Sequence, residues 1–398
     1  MSAEADGEAY RALLAQYGRG ELAAAAQAAQ ALLERSPEHA GALQVAGLVD
    51  AQRGRFEAAL ARLERAAALR PDDPVLHNHL GNVLLALERE DAAIAAYDRA
   101  LALGLEDPHA LNNRGTALQA RHRFDAALQS FERALARAPG FAEALLNRGE
   151  LLVEIGRRNA GIESLQQARA AGAGDAKIGF ALAALGVEPA ADAAPQDFVR
   201  ELFDQYAHGF DAHLTGRLGY RVPELLAQAL APLGLAGCTA IDLGCGTGLF
   251  GALLRPLAAR LDGVDLSGAM LERARERGVY DELLQGDMVA CLEARPGRYG
   301  LVTAADVLIY LGALEPVFVA VHRALKPGGW FAFTVEALEA GEAVDHQLQP
   351  TRRYAHSAAY LARLAQAQGF DVLRLAGEAL RREGGADVAG LLVLLQRR

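Results

Sequence analysis

The sequence predicts two folds in tandem: a multidomain chain with an N-terminal all-α solenoid followed by an α/β doubly wound, Rossmann-like sheet. Three observations carry this expectation. Small and large residues recur every 34 positions through the first half. An apolar run broken by three closely spaced glycines opens the second half at 240–251. After it, apolar runs alternate with amphipathic stretches to the end, as they do where helices cover a mostly parallel sheet.

Length and composition bound the rest. A chain of 398 residues exceeds one ordinary domain. Its 52% hydrophobic and 23% charged residues are those of a globular protein. The net charge is −10, and residues 1–189 and 190–398 each carry 20 basic and 25 acidic groups. Neither half has the positive excess of a nucleic-acid-binding domain, so no nucleic-acid partner is expected. Cys238, Cys245 and Cys291 show neither Cys-x-x-Cys spacing nor a neighbouring histidine cluster, so neither a disulfide framework nor a metal site is expected. The acidic N-terminus lacks an apolar signal core, and no run reaches the ~18–20 apolar residues of a membrane span. These features predict a soluble, cytoplasmic protein with no membrane partner.

The repeat occupies several independent columns. Gly47, Gly81, Gly115 and Gly149 are 34 residues apart, as are Ala59, Ala93, Ala127 and Gly161. Leu63, Tyr97, Phe131 and Leu165 share the period, and so do Ala66, Ala100, Ala134 and Ala168. Pro37, Pro71 and Pro139 lie on the same grid, with Leu105 in the remaining slot. Small residues suit the places where two helices cross closely, and a larger residue four positions later fills the next groove. Proline stops the second helix of each unit. The pattern resembles the tetratricopeptide repeat over about residues 6–175, as five units. The first unit has Leu13 in place of the glycine; the fifth has Gly161 for alanine and Ala173 for proline. Residues 178–185 are expected to cap the last unit, giving a solenoid over 1–186.

In that family the first helix of each unit lines a concave surface. Here those helices carry Asn78, Asn82, Asn112, Asn113, Thr116 and Asn147, with Asn78/Asn112 and Asn113/Asn147 one period apart. Such an asparagine ladder resembles the peptide-binding groove of other tetratricopeptide proteins, and the resemblance implies a protein or peptide partner. The plainer reading is a solvated polar helix face. Residues 187–195, rich in proline and alanine, are expected to be a linker.

The second half starts with 196–235, where Phe198, Leu202, Phe203, Tyr206, Phe210 and Leu214 fall at helical spacing. Then Ala-Ile-Asp-Leu-Gly-Cys-Gly-Thr-Gly-Leu-Phe-Gly places Asp242 two residues before Gly244, Gly246 and Gly248. Glycines there permit a tight turn and let a ligand approach the backbone. The Gly-x-Gly-x-Gly spacing differs from that of dinucleotide sites and disfavours an oxidoreductase. Asp265 ends an apolar run 23 residues after Asp242. An acid at that place can accept hydrogen bonds from ribose hydroxyls. With Asp242 and its glycines, this resembles class I S-adenosylmethionine (SAM) methyltransferases over 196–398.

The resemblance implies SAM as cofactor, held by Asp242, Gly244, Cys245, Gly246, Gly248 and Asp265. Leu266 would lie beside the adenine, Asp287 would meet its amino group and Met288 would flank the ring. It also implies that 196–235 is a helical lid, with Tyr206 and His213 as lid contacts. Residues 299–305 would run into Asp306-Val-Leu-Ile-Tyr310 at the pocket mouth, placing Asp306 against both cofactor and acceptor. Lys326-Pro-Gly-Gly resembles a turn common in the family. A strand at 370–374, a polar, hairpin-like loop over 378–385 and a strand at 388–396 would supply the antiparallel last strand.

Methyl transfer from a sulfonium is an in-line displacement that chiefly needs alignment and exclusion of water. Asp306, Tyr310 and His356 are the catalytic candidates, with His213 and Tyr354 as further groups able to orient an acceptor. The acceptor itself is not legible. The expected function is SAM-dependent methylation with the repeats recruiting a protein; the alternative is a catalytically degenerate SAM-binding scaffold.

Overall fold

A computed structural model describes residues 2–207, 210–212, 214, 216, 218–338, 344–383 and 385–398. The chain divides into two compact units, Met1–Ile178 and Gly179–Arg398.

The first unit is five antiparallel helix pairs: Ser2–Gly18 with Leu22–Arg35, Ala40–Gln52 with Phe56–Leu69, Pro74–Ala86 with Glu90–Ala102, Pro108–Ala120 with Phe124–Arg137, and Ala142–Glu154 with Arg158–Ala170. The glycine column explains the crossing. A Cβ at Gly47, Gly81, Gly115 or Gly149 would come closer than 3.0 Å to the side chain of Leu63, Tyr97, Phe131 or Leu165 respectively. The large residue of each unit therefore lies flat on the glycine backbone of the preceding helix. In the first unit the sizes are exchanged: Leu13 takes the glycine slot, and Ala29 takes the slot of Leu63. Both are fully buried in one cluster with Ala25 and Leu32.

The second unit is a nine-stranded sheet covered by helices. Its strands are β1 (Cys238–Leu243), β2 (Ala258–Asp265), β3 (Glu282–Gln285), β4 (Tyr299–Ala304), β5 (Leu325–Ala337), β6 (His346–Leu348), β7 (Tyr354–His356), β8 (Phe370–Glu383) and β9 (Ala386–Arg397). The order β3-β2-β1-β4-β5 is parallel; β9 joins β5 antiparallel, and β8 pairs with β9. Short β7 adds to the end of β5, with β6 outside it. Strand order reverses between β1 and β4, where open α/β sheets bind ligands at the strands' carboxyl ends. Phe318, Phe331, Phe333 and Phe370 pack edge-on and stacked in one core, while Leu226, Phe250, Leu301 and Leu392 belong to the other.

Three segments differ from expectation. The residues expected as a polar loop at 378–385 mostly extend β8, because the charged side chains there are paired inside the unit. Residues 187–195 are held on the second unit: Ala193 bridges Leu311, Ala194 N donates to the Tyr310 carbonyl at 2.8 Å, and Tyr354 Oη donates to the Ala191 carbonyl at 2.6 Å. Phe180, from the stretch expected to cap the repeats, packs 5.4 Å from Phe198 and 6.3 Å from Tyr354. Among the described residues no helix is long and apolar enough to cross a membrane.

Candidate functional site

β1 ends at Leu243, and the next residues turn on three left-handed glycines: Gly244 at φ 62°, Gly246 at 52° and Gly248 at 85°. The turn hands the chain to the helix Leu249–Leu254. At Gly244 a Cβ would also overlap Val307. Parallel pairing of β1 with β2 brings Asp265 beside this turn. Its Oδ2 accepts from Gly246 N at 2.9 Å and its Oδ1 from Ser267 N at 2.8 Å. Burial raises the Asp265 pKa, and those two N–H donors oppose the rise.

Asp242 lies deeper. Tyr280 Oη donates to its Oδ2 at 2.8 Å and Thr303 Oγ1 to its Oδ1 at 2.9 Å. Desolvation pushes its pKa up to about 6, against both donors. The Cys245 thiol is driven well above its usual value by burial and stays protonated, so it has no nucleophilic character. Asp287 caps the helix Met288–Glu293 by accepting from Ala290 N at 2.9 Å, and its other oxygen takes Gln196 Nε2 at 3.0 Å.

These groups open on one cavity of about 580 Å³. Asp242, Gly244, Cys245, Gly246, Asp265, Leu266, Asp287, Met288, Asp306, Tyr310 and Tyr206 all line it. Gly248 does not; its Cβ position lies 3.0 Å from Tyr280 Cε2, so its smallness serves packing rather than ligand approach. The helix Gln196–Tyr206 and the short turn Phe210–Ala212 cover the cavity. Asp204 anchors the first by accepting from Ser267 Oγ at 2.5 Å. Asp211 anchors the second through Thr247 Oγ1 at 2.5 Å and through Arg277. Phe203 stands edge-on to Phe210 and Tyr310, 5.9 and 5.6 Å between centroids. His213 lies outside the described residues.

At the far end the catalytic candidates separate. Asp306 is left-handed at φ 56°, and its N–H donates to Thr334 Oγ1 at 3.0 Å. Arg381 Nη1 binds both of its oxygens, at 3.0 and 2.8 Å. The same arginine, 2% exposed, reaches Glu336 and Glu383, and Arg353 bridges those two glutamates from the other side. Asp306 is thus a fixed, paired carboxylate. Tyr310 keeps its phenol protonated, its pKa raised by burial. His356 corrects the expectation: it is fully buried in β7, does not line the cavity, and donates from Nε2 to the Gly312 carbonyl at 3.0 Å. Burial lowers its pKa to about 4, so it is a neutral core histidine. Tyr354 is likewise spent on Ala191.

The asparagines of the first unit bind one another. Asn147 Nδ2 donates to Asn112 Oδ1 at 2.9 Å, and Asn113 Nδ2 to Asn82 Oδ1 at 3.1 Å, which also accepts from Tyr97 Oη at 2.8 Å. Asn112 is only 4% exposed. The ladder therefore ties adjacent repeats together, and Asn78 Oδ1 is the member left buried without a hydrogen-bond partner.

Tyr280, Thr303, Arg381 and Glu383 escaped the sequence reading. No spacing links them to Asp242 or Asp306; only the sheet order does.

A doubly wound sheet with this glycine turn and acidic strand end, joined to 34-residue helix pairs, defines a tetratricopeptide-repeat protein with a class I methyltransferase domain. Comparison with known proteins agrees. A family described as "Methyltransferase domain" matches residues 241–333, and tetratricopeptide families match 47–88, 75–103 and 118–185. The chain thus carries a match to a methyltransferase domain and matches to tetratricopeptide repeats. It is similar to the Ubiquinone biosynthesis O-methyltransferase of Pseudomonas paraeruginosa, 35% identical over 100 residues that cover 24% of this chain and 43% of the relative. That of Burkholderia vietnamiensis is 34% identical over 104 residues, 25% and 45% of the two chains. The chain thus spans less than half the length of these curated relatives. Among solved structures, it resembles an S-adenosylmethionine dependent methyltransferase from Mesorhizobium loti (20% identity, TM-score 0.36, 44% of this chain and 100% of that one). It also resembles YrrB, "a TPR protein with an unusual peptide-binding site" (24% identity, TM-score 0.39, 43% and 92%).

Proposed function

We propose that the chain is a SAM-dependent methyltransferase whose repeats recruit a protein or peptide. The observation that carries this is Asp265: both oxygens are fixed by backbone N–H groups of the glycine turn and of the next helix, at the edge of the cavity. Each oxygen retains a lone pair for a ribose hydroxyl. Leu266 and Met288 supply apolar lining for an adenine, and Asp287 lies beside them. When bound, SAM supplies a methyl group on a good leaving group. The chain's own part is to align an acceptor and exclude water, through the aromatic cover of Phe203, Phe210 and Tyr310. Asp306, held by Arg381, orients a donor hydrogen of the acceptor; Tyr310 offers its protonated phenol.

Calorimetry on the full chain is the test. SAM should bind and NAD should not, and Asp265→Asn should weaken SAM by about 1.5–3 kcal/mol, the scale of hydrogen bonds to a charged group. No SAM binding by the full chain would refute the reading. A non-catalytic SAM-binding scaffold is the second reading, favoured by the pairing of Asp306 and the burial of His356. Formation of S-adenosylhomocysteine with a cell extract as acceptor source separates the two. The acceptor, and a cytoplasmic location, belong to the same proposal.

A further inference from the structure

We infer that Tyr280, which lies outside every motif of the chain, is a positioning residue for the cofactor: it seats the glycine turn and fixes the Asp242 carboxylate at the cavity floor. This rests on the proposed SAM reading. Tyr280 sits between the helix Gly268–Arg277 and β3. Three glycines make room for its ring. A Cβ at Gly248 would lie 3.0 Å from Cε2, one at Gly263 would lie 3.1 Å from Cδ1, and one at Gly251 would overlap the hydroxyl. These glycines belong to the turn, to β2 and to the helix after the turn, so one side chain packs against three neighbouring elements around the cavity floor. From this seat the hydroxyl donates to Asp242 Oδ2 at 2.8 Å, opposite Thr303 on Oδ1. With both oxygens held, Asp242 presents one orientation and a preorganised negative charge to a cationic ligand.

Besides the Tyr280 and Thr303 hydroxyls, the groups that act on Asp242 include the Asp265 carboxylate, with Cys245 and Tyr220 also nearby. Loss of the Tyr280 hydroxyl removes a donor that favours the ionised carboxylate, so Asp242 would take up its proton at higher pH.

The test is SAM affinity of the full chain, wild type against Tyr280→Phe, by calorimetry from pH 5 to 8, with ligand-free melting beside it. Tyr280→Phe keeps the ring and loses only the hydroxyl. The expected result is affinity lower by about tenfold at neutral pH, with the acid midpoint of binding displaced upward. A purely structural loss would lower the melting temperature and leave that midpoint in place. Unchanged affinity and midpoint in a folded Tyr280→Phe overturn the inference. If that variant does not fold, Gly251→Ala decides, since its methyl would overlap the Tyr280 hydroxyl and force it to shift; wild-type affinity and midpoint in Gly251→Ala overturn it equally. Failure of the wild type to bind SAM sinks the proposed function instead, and is distinguishable because it needs no variant.

Discussion

Arg381 Nη1 lies 3.0 and 2.8 Å from the two oxygens of Asp306, across 75 residues of sequence. The pair sits at the centre of a charged cluster in which two arginines, Arg353 and Arg381, hold three carboxylates, Asp306, Glu336 and Glu383. Arg381 is 2% exposed, so the arrangement is internal to the fold.

Removing the arginine strips Asp306 of its ion-pair partner and leaves Glu336 and Glu383 to Arg353 alone. Arg381→Met should destabilise the second unit by about 3–5 kcal/mol, the usual cost of breaking a buried ion pair from one side. Asp306→Asn, which keeps the shape, should cost less. Urea unfolding of the two variants measures the difference, and a smaller loss for Arg381→Met than for Asp306→Asn would contradict the cluster's importance.

In the first unit the glycine column makes a packing claim. Gly115→Ala should cost about 1–3 kcal/mol, because its methyl would overlap the Phe131 ring. Phe131→Leu placed in the same chain should recover part of that loss, as Leu63 and Leu165 occupy the equivalent places opposite Gly47 and Gly149. A double-mutant cycle on thermal unfolding gives the coupling; additive losses would mean that the two residues do not share the space.

Asp242 should impose a pH dependence on stability. Its carboxyl is raised by burial to about 6, from 3.8. A folded pKa above the unfolded one means that the folded state binds the proton more tightly. The contribution is full below about pH 4 and is lost as pH rises through 6. It amounts to about 3 kcal/mol at most. Asp242→Asn does not titrate, so its stability relative to wild type should rise between pH 4 and 6.5. Parallel denaturation curves across that range would show that Asp242 is ionised throughout.

The boundary between the units is also testable. Residues 196–398 lack the backbone of Asp192, Ala193 and Ala194, which bonds to Tyr310, Leu311, Gly312 and Ala313. They also lack Ala191 and Phe180 against Tyr354. A fragment of 179–398 should melt roughly 5 °C above one of 196–398, a shift that corresponds to about 1.3–2.5 kcal/mol in a domain of this size. Equal melting would return 187–195 to the status of a linker.

What the sequence determined by itself was periodic or local. The 34-residue columns named the residues that meet between paired helices, because a solenoid repeats one contact geometry along the chain. Leu13 was legible as the occupant of the first unit's glycine slot, and it is buried in one cluster with Ala29. The glycine turn and Asp265 were legible because strand, turn and next strand are consecutive, so chain distance fixes their relation in space. Tertiary structure decided the rest. Strand order alone set Thr303 beside Asp242 and, through β9, carried Arg381 on β8 to Asp306. The polar run around Arg381 looked like a loop because burial of paired charges reverses the hydropathy rule by which strands are recognised. The surroundings of His356 and of the asparagine ladder were not legible for the related reason that a polar side chain does not disclose its partner. The sheet gave His356 to the Gly312 carbonyl, and the stacked repeats gave the asparagines to one another.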